Sequence, residues 1–400
     1  MRSSLDARIY IITLLFLLLA VRPAAAELSA TSVTSATSWE EEEGIDNSAV
    51  SQYMSLWTDF SAGGFYLDFE GYGRVTSLGE EIEPGDKDPN RLYHLTLSVS
   101  DSRDRGKLTL GRQFVPAPTG ALMLDGVRLS TGGNVFDFHA RWGYSSDIDG
   151  YGEKDRQVFG AGLGYRIKKG MNLSLDYGRT FDEGILSELL AAEWTYSWHR
   201  HTKAYALFNW DLMSRTLHES LLGTRLFFSD QFTMVLELSQ NVQTFDSDSI
   251  YSVLAVDSAN TRSFSLLFTP SPTTRYVWDY AVESFQGDGA GREYGVTGHW
   301  APGLWKISAG LLQHKGYGGE LTEVSTNVST RFMGRLRVGA GGDFCQTSNE
   351  DEDSVSSHSL HVGAGWDIST GSSLDLRVDR TDDELGDATQ SMALSLKVEF

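Results

Sequence analysis

The sequence predicts an all-β protein, a transmembrane antiparallel up-and-down β-barrel of about 18–20 strands. Three observations predict it. The N-terminus has the order of a secretory leader. Apolar and polar residues alternate from about residue 64 to the last, and the connectors between the alternating runs are short and long in turn.

Arg2 and Arg8 make a weakly basic start, Tyr10 to Val21 is a compact apolar run, and Ala24, Ala25 and Ala26 offer small residues for cleavage. Residues 1–26 are therefore expected to be a signal peptide, because the apolar run is short for a membrane-spanning helix and carries the flanks of a leader. No later apolar run reaches the length of a spanning helix, and the mean hydropathy is slightly negative. Membrane residence then has to come from strands that are apolar on one face only.

The chain holds 33 Lys+Arg against 54 Asp+Glu, a formal net charge of −21. Removal of the leader, with Arg2, Arg8 and Arg22 against Asp6, makes the balance more negative still. Such a surface argues against nucleic acid and against anionic lipid as binding partners. Cys345 is the only cysteine, which rules out an internal disulfide and any multi-cysteine metal or haem motif. No cofactor and no metal site are expected.

Residues 27–62 read differently from the rest. A Ser/Thr/Ala tract leads into the acidic run Glu40 to Glu43, and Val50 to Phe60 has the composition of a helical turn or two. This segment is expected to be an acidic, largely flexible periplasmic extension, with the barrel occupying 63–400. From there the period is two. Phe65, Leu67 and Phe69 alternate with Asp68 and Glu70; Tyr93, Leu95, Leu97 and Val99 alternate with His94, Thr96, Ser98 and Ser100. The same dyad recurs at 136–144, 171–178, 232–239, 276–283 and 373–380. A soluble sandwich would show this pattern too, so further signals have to decide.

Connector length is one. Lys168 to Gly170, His199 to His201, Ser229 to Gln231, Ala301 to Gly303 and Met333-Gly334 are turn-sized, while 145–154, 241–259, 346–354 and 381–387 are longer and more acidic. That is turns at one rim and loops at the other. Placing both termini in the periplasm requires an even strand number, which in turn requires 121–130 to be a strand; 121–130 and 322–332 are the weakest patterns. Aromatic residues are the second signal. Trp142, Tyr144, Tyr165, Tyr177, Trp194, Tyr196, Trp198, Trp210, Tyr276, Tyr280, Trp300, Trp305 and Trp366 fall on the apolar face, most of them near a strand end. A bilayer interface favours rings there, and a sandwich has no such need.

The last strand ends Met392-Ala393-Leu394-Ser395-Leu396-Lys397-Val398-Glu399-Phe400. It resembles the C-terminal signal that the barrel-assembly machinery recognises in outer-membrane proteins: a terminal aromatic, Phe400, with apolar Val398, Leu396, Leu394 and Met392 at every second place before it. Leu110-Gly111-Arg112-Gln113-Phe114, followed by Leu124-Asp125-Gly126-Val127, is similar to a stretch of porin-type channels. The resemblance implies a Gram-negative outer-membrane barrel of porin-like type, in contact with outer-membrane lipid; no single family and no family binding site follow from it.

A barrel of this size leaves a lumen. The inward face is expected to carry acidic Asp68, Glu70, Asp137, Asp176, Glu193, Glu237, Asp279, Glu283 and Asp343, and basic Arg74, Arg141, Arg166, Arg225, Arg337 and Arg377. Charges of both signs around a wet channel select solutes by charge, and the acidic excess predicts a mild cation preference. Cross-strand pairing that only stiffens the wall is the competing reading of the same residues. No G-x-S-x-G, H-E-x-x-H or P-loop pattern is present, and the His199/His201 pair reads as a polar turn, so a hydrolase is the weakest reading. The leading expectation is a non-enzymatic channel for passive diffusion of small hydrophilic solutes or ions. The alternative is a barrel that houses a periplasmic partner such as an electron-transfer cytochrome, and assembly into a homo-oligomer is compatible with either.

Overall fold

The structure is a computed structural model. It describes residues 27–41, 45–62, 64–79, 91–102, 105–146, 156–168, 170–181, 184–242, 259–285, 290–316, 319–348, 354–384 and 388–399. The expected signal peptide (1–26) and the terminal Phe400 lie outside the described residues.

Twenty-two strands form one sheet. They are β1 Glu27–Glu41, β2 Ile45–Ala62, β3 Phe65–Gly79, β4 Arg91–Asp101, β5 Gly106–Val115, β6 Leu122–Gly132, β7 Phe136–Ser146, β8 Arg156–Lys168, β9 Met171–Phe181, β10 Ile185–Trp198 and β11 Thr202–Asp211. The second half comprises β12 Thr216–Phe227, β13 Phe232–Asn241, β14 Ala259–Ser271, β15 Thr274–Phe285, β16 Ala290–Trp300, β17 Trp305–Gly316, β18 Gly319–Phe332, β19 Leu336–Ser348, β20 Val355–Ser369, β21 Ser372–Asp383 and β22 Thr389–Glu399. Each strand pairs antiparallel with its neighbours in the chain. The ring closes where Thr31 to Trp39 of β1 run against Glu399 to Ser391 of β22. A closed ring has no free edge, so every ladder hydrogen bond finds a partner without water.

Two expectations are corrected. The strand number is 22, not 18–20, and residues 27–62 are not a flexible extension with helical turns but β1 and β2, paired through a continuous register from Glu27↔Asp59 to Glu41↔Ile45. The barrel therefore begins at Glu27 rather than at residue 63. The physical reason lies in the side chains. On one face β1 presents Ala30, Ser32, Thr34, Ala36 and Ser38, which give no apolar contrast for a period-two reading. The ladder itself is made by backbone groups, and Ser and Thr do not oppose it. The two weak patterns both became strands, β6 and β18.

Cross-strand partners share a face, so registers trace continuous stripes around the ring. One stripe runs Leu97↔Leu110↔Val127↔Trp142↔Phe159 across β4 to β8. Leu97, Leu110, Trp142 and Phe159 are exposed, as are Leu222, Leu236, Leu311, Leu360, Leu376 and Leu394 on the same face of other strands. Thr96, Ser98, Gln113, Arg141 and Asp176, on the opposite face, are buried, because side chains converge on the concave side of a closed sheet. The apolar belt thus points outward, and Leu236→Arg in the middle of β13 is expected to destabilise the barrel in bilayers by about 2–4 kcal/mol, readable by denaturant titration in liposomes.

The aromatic expectations fall on this outward face. Phe232 stacks on Phe268 at 4.4 Å, Phe268 on Tyr276 at 6.3 Å, and Phe136 on Tyr165 at 4.7 Å, all near the short-turn rim. Short-turn geometry follows from local residues. Met333 (φ 50°) and Gly334 (φ 70°) both sit in the left-handed region between β18 and β19, as a two-residue primed turn requires. His199 (φ 58°) serves the same kind of role between β10 and β11, in line with the polar-turn reading.

Candidate functional site, the lumen wall

The residues expected to line the lumen all take positions on the face opposite the belt, but the expectation is corrected for Arg141 and Asp176, which are buried beneath the 116–121 connector and face no open space. For the acidic set the positions are Asp68, Glu70, Asp137, Asp176, Glu193, Glu237, Asp279, Glu283 and Asp343; for the basic set Arg74, Arg141, Arg166, Arg225, Arg337 and Arg377. Their surroundings differ sharply, and the differences divide the wall into sectors.

In the first sector β7, β8 and β9 build a buried polar knot. Gly160, Gly162 and Gly164 take successive inward places on β8, opposite Arg141, His139 and Asp137 of β7. With no side chain there, the β7 residues lie flat across β8 toward Asp176 of β9. Arg141 donates from Nη1 and Nη2 to the two Asp176 oxygens at 3.0 and 2.9 Å, and His139 Nε2 lies 2.7 Å from Oδ1. A Cβ on Gly160 would overlap the Arg141 guanidinium, and one on Gly162 the His139 ring. The connector 116–121 between β5 and β6 folds onto this knot from within. Thr119 Oγ1 donates to Asp176 Oδ2 at 2.5 Å and accepts from Arg141 Nη2 at 2.8 Å. Arg141 and Asp176 are left only 2% and 1% exposed, and the buried carboxylate has its two oxygens occupied by charged or hydroxyl donors.

The same device recurs. Tyr205 of β11 crosses Gly223 of β12 to donate to Glu237 of β13. His361 of β20 crosses Gly341 of β19 to meet Asn327 of β18 at 2.9 Å. Arg337 of β19 crosses Gly365 of β20 to reach Asp375 of β21 at 2.9 Å, while also pairing with Asp367 at 3.1 Å. An inward glycine flanked by two polar residues one strand away on either side thus marks a bridge over the middle strand. Elsewhere charges pair at shorter range: Asp68 with Lys107 at 3.9 Å, Glu70 with His94 at 3.4 Å, and Arg377 with Asp379 at 2.7 Å.

The remaining sector is less neutralised. Asp279 accepts from Ser265 at 2.6 Å and Asp343 from Ser359 at 3.1 Å, both neutral donors. Glu193, Glu283, Glu293 and Glu323 have no ion-pair partner among the described residues. Glu283, Glu293 and Glu323 sit at the long-connector ends of β15, β16 and β18, whereas inward Lys203, Arg225, Arg275 and Lys306 sit at the short-turn ends of β11, β12, β15 and β17. Along this side of the lumen, acid gathers toward one mouth and base toward the other.

Thr119, His139, Tyr205, Glu293 and Glu323 were not anticipated in these roles. Glu293 and Glu323 sit in runs too rich in Gly, Ser and Thr to declare a face. For the knot a signal did exist, since Gly160-Ala161-Gly162-Leu163-Gly164 places glycine at every inward position of one strand.

The fold is that of outer-membrane porin barrels, a closed antiparallel ring of 22 strands. The chain is similar to OccK3 (OpdO) of Pseudomonas aeruginosa, with 11% identity over 96% of this chain and 97% of that one and a TM-score of 0.50. OpdQ of the same organism gives 9% identity, 94% and 98% coverage and a TM-score of 0.50. OccAB4 of Acinetobacter baumannii gives 8%, 94%, 98% and 0.51. At such identities the likeness is one of fold. No protein-family model and no curated protein matches the sequence.

Proposed function

We propose that this protein is a channel in the bacterial outer membrane for passive diffusion of small hydrophilic solutes or ions, with a mild preference for cations. The observation that carries the reading is a closed 22-strand ring whose inward face is charged along its length and whose outward face is apolar. A ring of this size is wider than its inward side chains can fill, and among the described residues the β5–β6 connector is the segment placed inside it by a side-chain bond to the wall, which supports a wet passage beside it. Glu193, Glu283, Glu293 and Glu323, which carry no ion pair among the described residues, support the sign of the preference, since they lower the energy of a cation and raise that of an anion at the same place. The likeness in fold to the OccK3 and OpdQ barrels is consistent with it.

The outward stripe Met392, Leu394, Leu396 and Val398 on β22, leading to Phe400, supports recognition by the barrel-assembly machinery. The test of the channel is liposome swelling with the purified full-length protein. Flux of a neutral sugar and of small salts is the expected outcome, with a bilayer reversal potential of the cation-selective sign. A barrel that leaves liposomes sealed would instead favour a scaffold for a periplasmic partner.

A further inference from the structure

The outward face is apolar in the middle, yet its two ends differ. Among strand residues whose side chains are described, the outward Lys and Arg are Arg112, Arg179, Arg262, Arg292, Lys315 and Arg380, and all lie toward the long-connector ends of their strands. Among the described side chains the short-turn ends carry mostly rings, aliphatic chains and small residues instead. Three of the six have acidic partners: Arg112 with Asp125, Lys315 with Glu320 at 3.0 Å, and Arg380 with Asp382 at 3.1 Å. Arg179 lies over the Phe181 ring at 4.7 Å. Arg262 and Arg292 are exposed and have no ion pair or hydrogen bond among the described residues.

Those two belong to one row. The register runs Arg262↔Val282↔Arg292↔Lys315 across β14 to β17. One step toward the belt the row is Phe264↔Tyr280↔Tyr294↔Gln313, with the Tyr280 and Tyr294 rings 5.1 Å apart. One step further it is Leu266↔Trp278↔Val296↔Leu311, fully apolar. Cation, ring and hydrocarbon therefore follow one another down the wall in the order headgroup, interface and acyl chain. Arg262 stands two strand spacings, about 10 Å, from Arg292, with the short Val282 side chain leaving a dip between them.

We propose that this row binds the headgroup of a phosphorylated saccharolipid of the outer leaflet, with one phosphate on Arg262 and a second on Arg292, beside a Lys315 already paired with Glu320. The proposal rests on the outer-membrane reading above but not on conduction. Two separated cationic points over a broad apolar surface fit a disaccharide carrying a phosphate at each end and several acyl chains. A phospholipid with one phosphate would use only one of the two points. Guanidinium is suited to phosphate because its planar fork gives paired charge-assisted hydrogen bonds. The acidic net charge, which argues against anionic lipid for the molecule as a whole, is reversed locally by this row.

The test is native mass spectrometry of the full-length barrel in detergent, titrated separately with diphosphoryl lipid A, monophosphoryl lipid A and phosphatidylglycerol. Retention is expected to fall in that order. Arg262→Gln/Arg292→Gln should weaken diphosphoryl lipid A binding by about tenfold or more, with heat-modifiable electrophoretic mobility unchanged. Equal retention of phosphatidylglycerol, or a double variant that binds as tightly as the parent, overturns the proposal. Single-channel conductance measured on the same samples separates the two readings: an insulating barrel that keeps the lipid ranking refutes the channel alone, and a conducting barrel without the ranking refutes the lipid site alone.

Discussion

Asp176→Ala is expected to lower the stability of the barrel by about 3–5 kcal/mol, the usual cost of leaving a buried charge without its partner. The partner here is Arg141, 2% exposed, whose guanidinium meets both Asp176 oxygens and Thr119. Water cannot easily compensate, because the connector 116–121 covers the pair from the lumen side. The same substitution removes the acceptor that holds Thr119, so the connector is expected to leave the wall and the proposed channel to fluctuate between conductance levels. Urea titration monitored by heat-modifiable mobility reads the first effect, and single-channel noise the second. Arg141→Met/Asp176→Leu separates the causes. Replacing both charges with apolar groups of similar volume should restore much of the stability while the connector stays unlatched. An Asp176→Ala barrel as stable as the parent would show that Arg141 finds another counter-ion.

Glu283→Gln/Glu293→Gln/Glu323→Gln is expected to abolish most of the proposed cation preference while leaving the barrel folded. These carboxylates carry no ion pair among the described residues, so their loss orphans no partner. A carboxylate about 10 Å from a permeating ion in water contributes roughly 0.4 kcal/mol, a factor of about two in local cation occupancy. Three of them near one mouth multiply before screening, and salt of about 0.1 M, with a screening length near 10 Å, removes part of that. Reversal potentials under a salt gradient should therefore move toward zero in the triple variant, most at low ionic strength. The companion variant Asp68→Asn, whose carboxylate is already paired with Lys107 at 3.9 Å, should move them much less. If both variants shift the potential equally, the preference comes from total charge and not from the less neutralised sector.

Which parts of this were legible in the sequence follows from what a side chain reveals about a backbone. The strands from β3 onward declare themselves because Leu, Phe, Trp and Tyr alternate with charge, as in Phe136, Phe138, Trp142 and Tyr144 against Asp137, His139 and Arg141. β1 and β2 were hidden because Ser32, Thr34, Ala36 and Ser38 give the outward face almost no contrast with Ser35 and Thr37 on the inward one. Their ladder is made by groups that every residue possesses, so composition alone could not announce it. The inward face was legible by parity: once a register is fixed, every second residue faces inward. Which inward residues touch was not, since Arg141 and Asp176 are 35 positions apart and meet only because Gly160 and Gly162 on the strand between leave the space. The knot could be read only by noticing glycine where a barrel strand ordinarily carries a side chain.

The pairing of β1 with β22 also sets a timetable. Every other pairing joins strands that follow one another in the chain, so those hairpins can form as soon as both halves exist. The seam from Thr31↔Glu399 to Trp39↔Ser391 is different, because its two sides lie more than 350 residues apart in the sequence. Until Ser391 to Glu399 arrives, the nascent sheet has two open flanks of unsatisfied amides and carbonyls, and either could capture a stray strand. The ring therefore closes through its most distant pairing, and the backbone groups of β1 and β22 are satisfied only once Ser391 to Glu399 lie against Thr31 to Trp39.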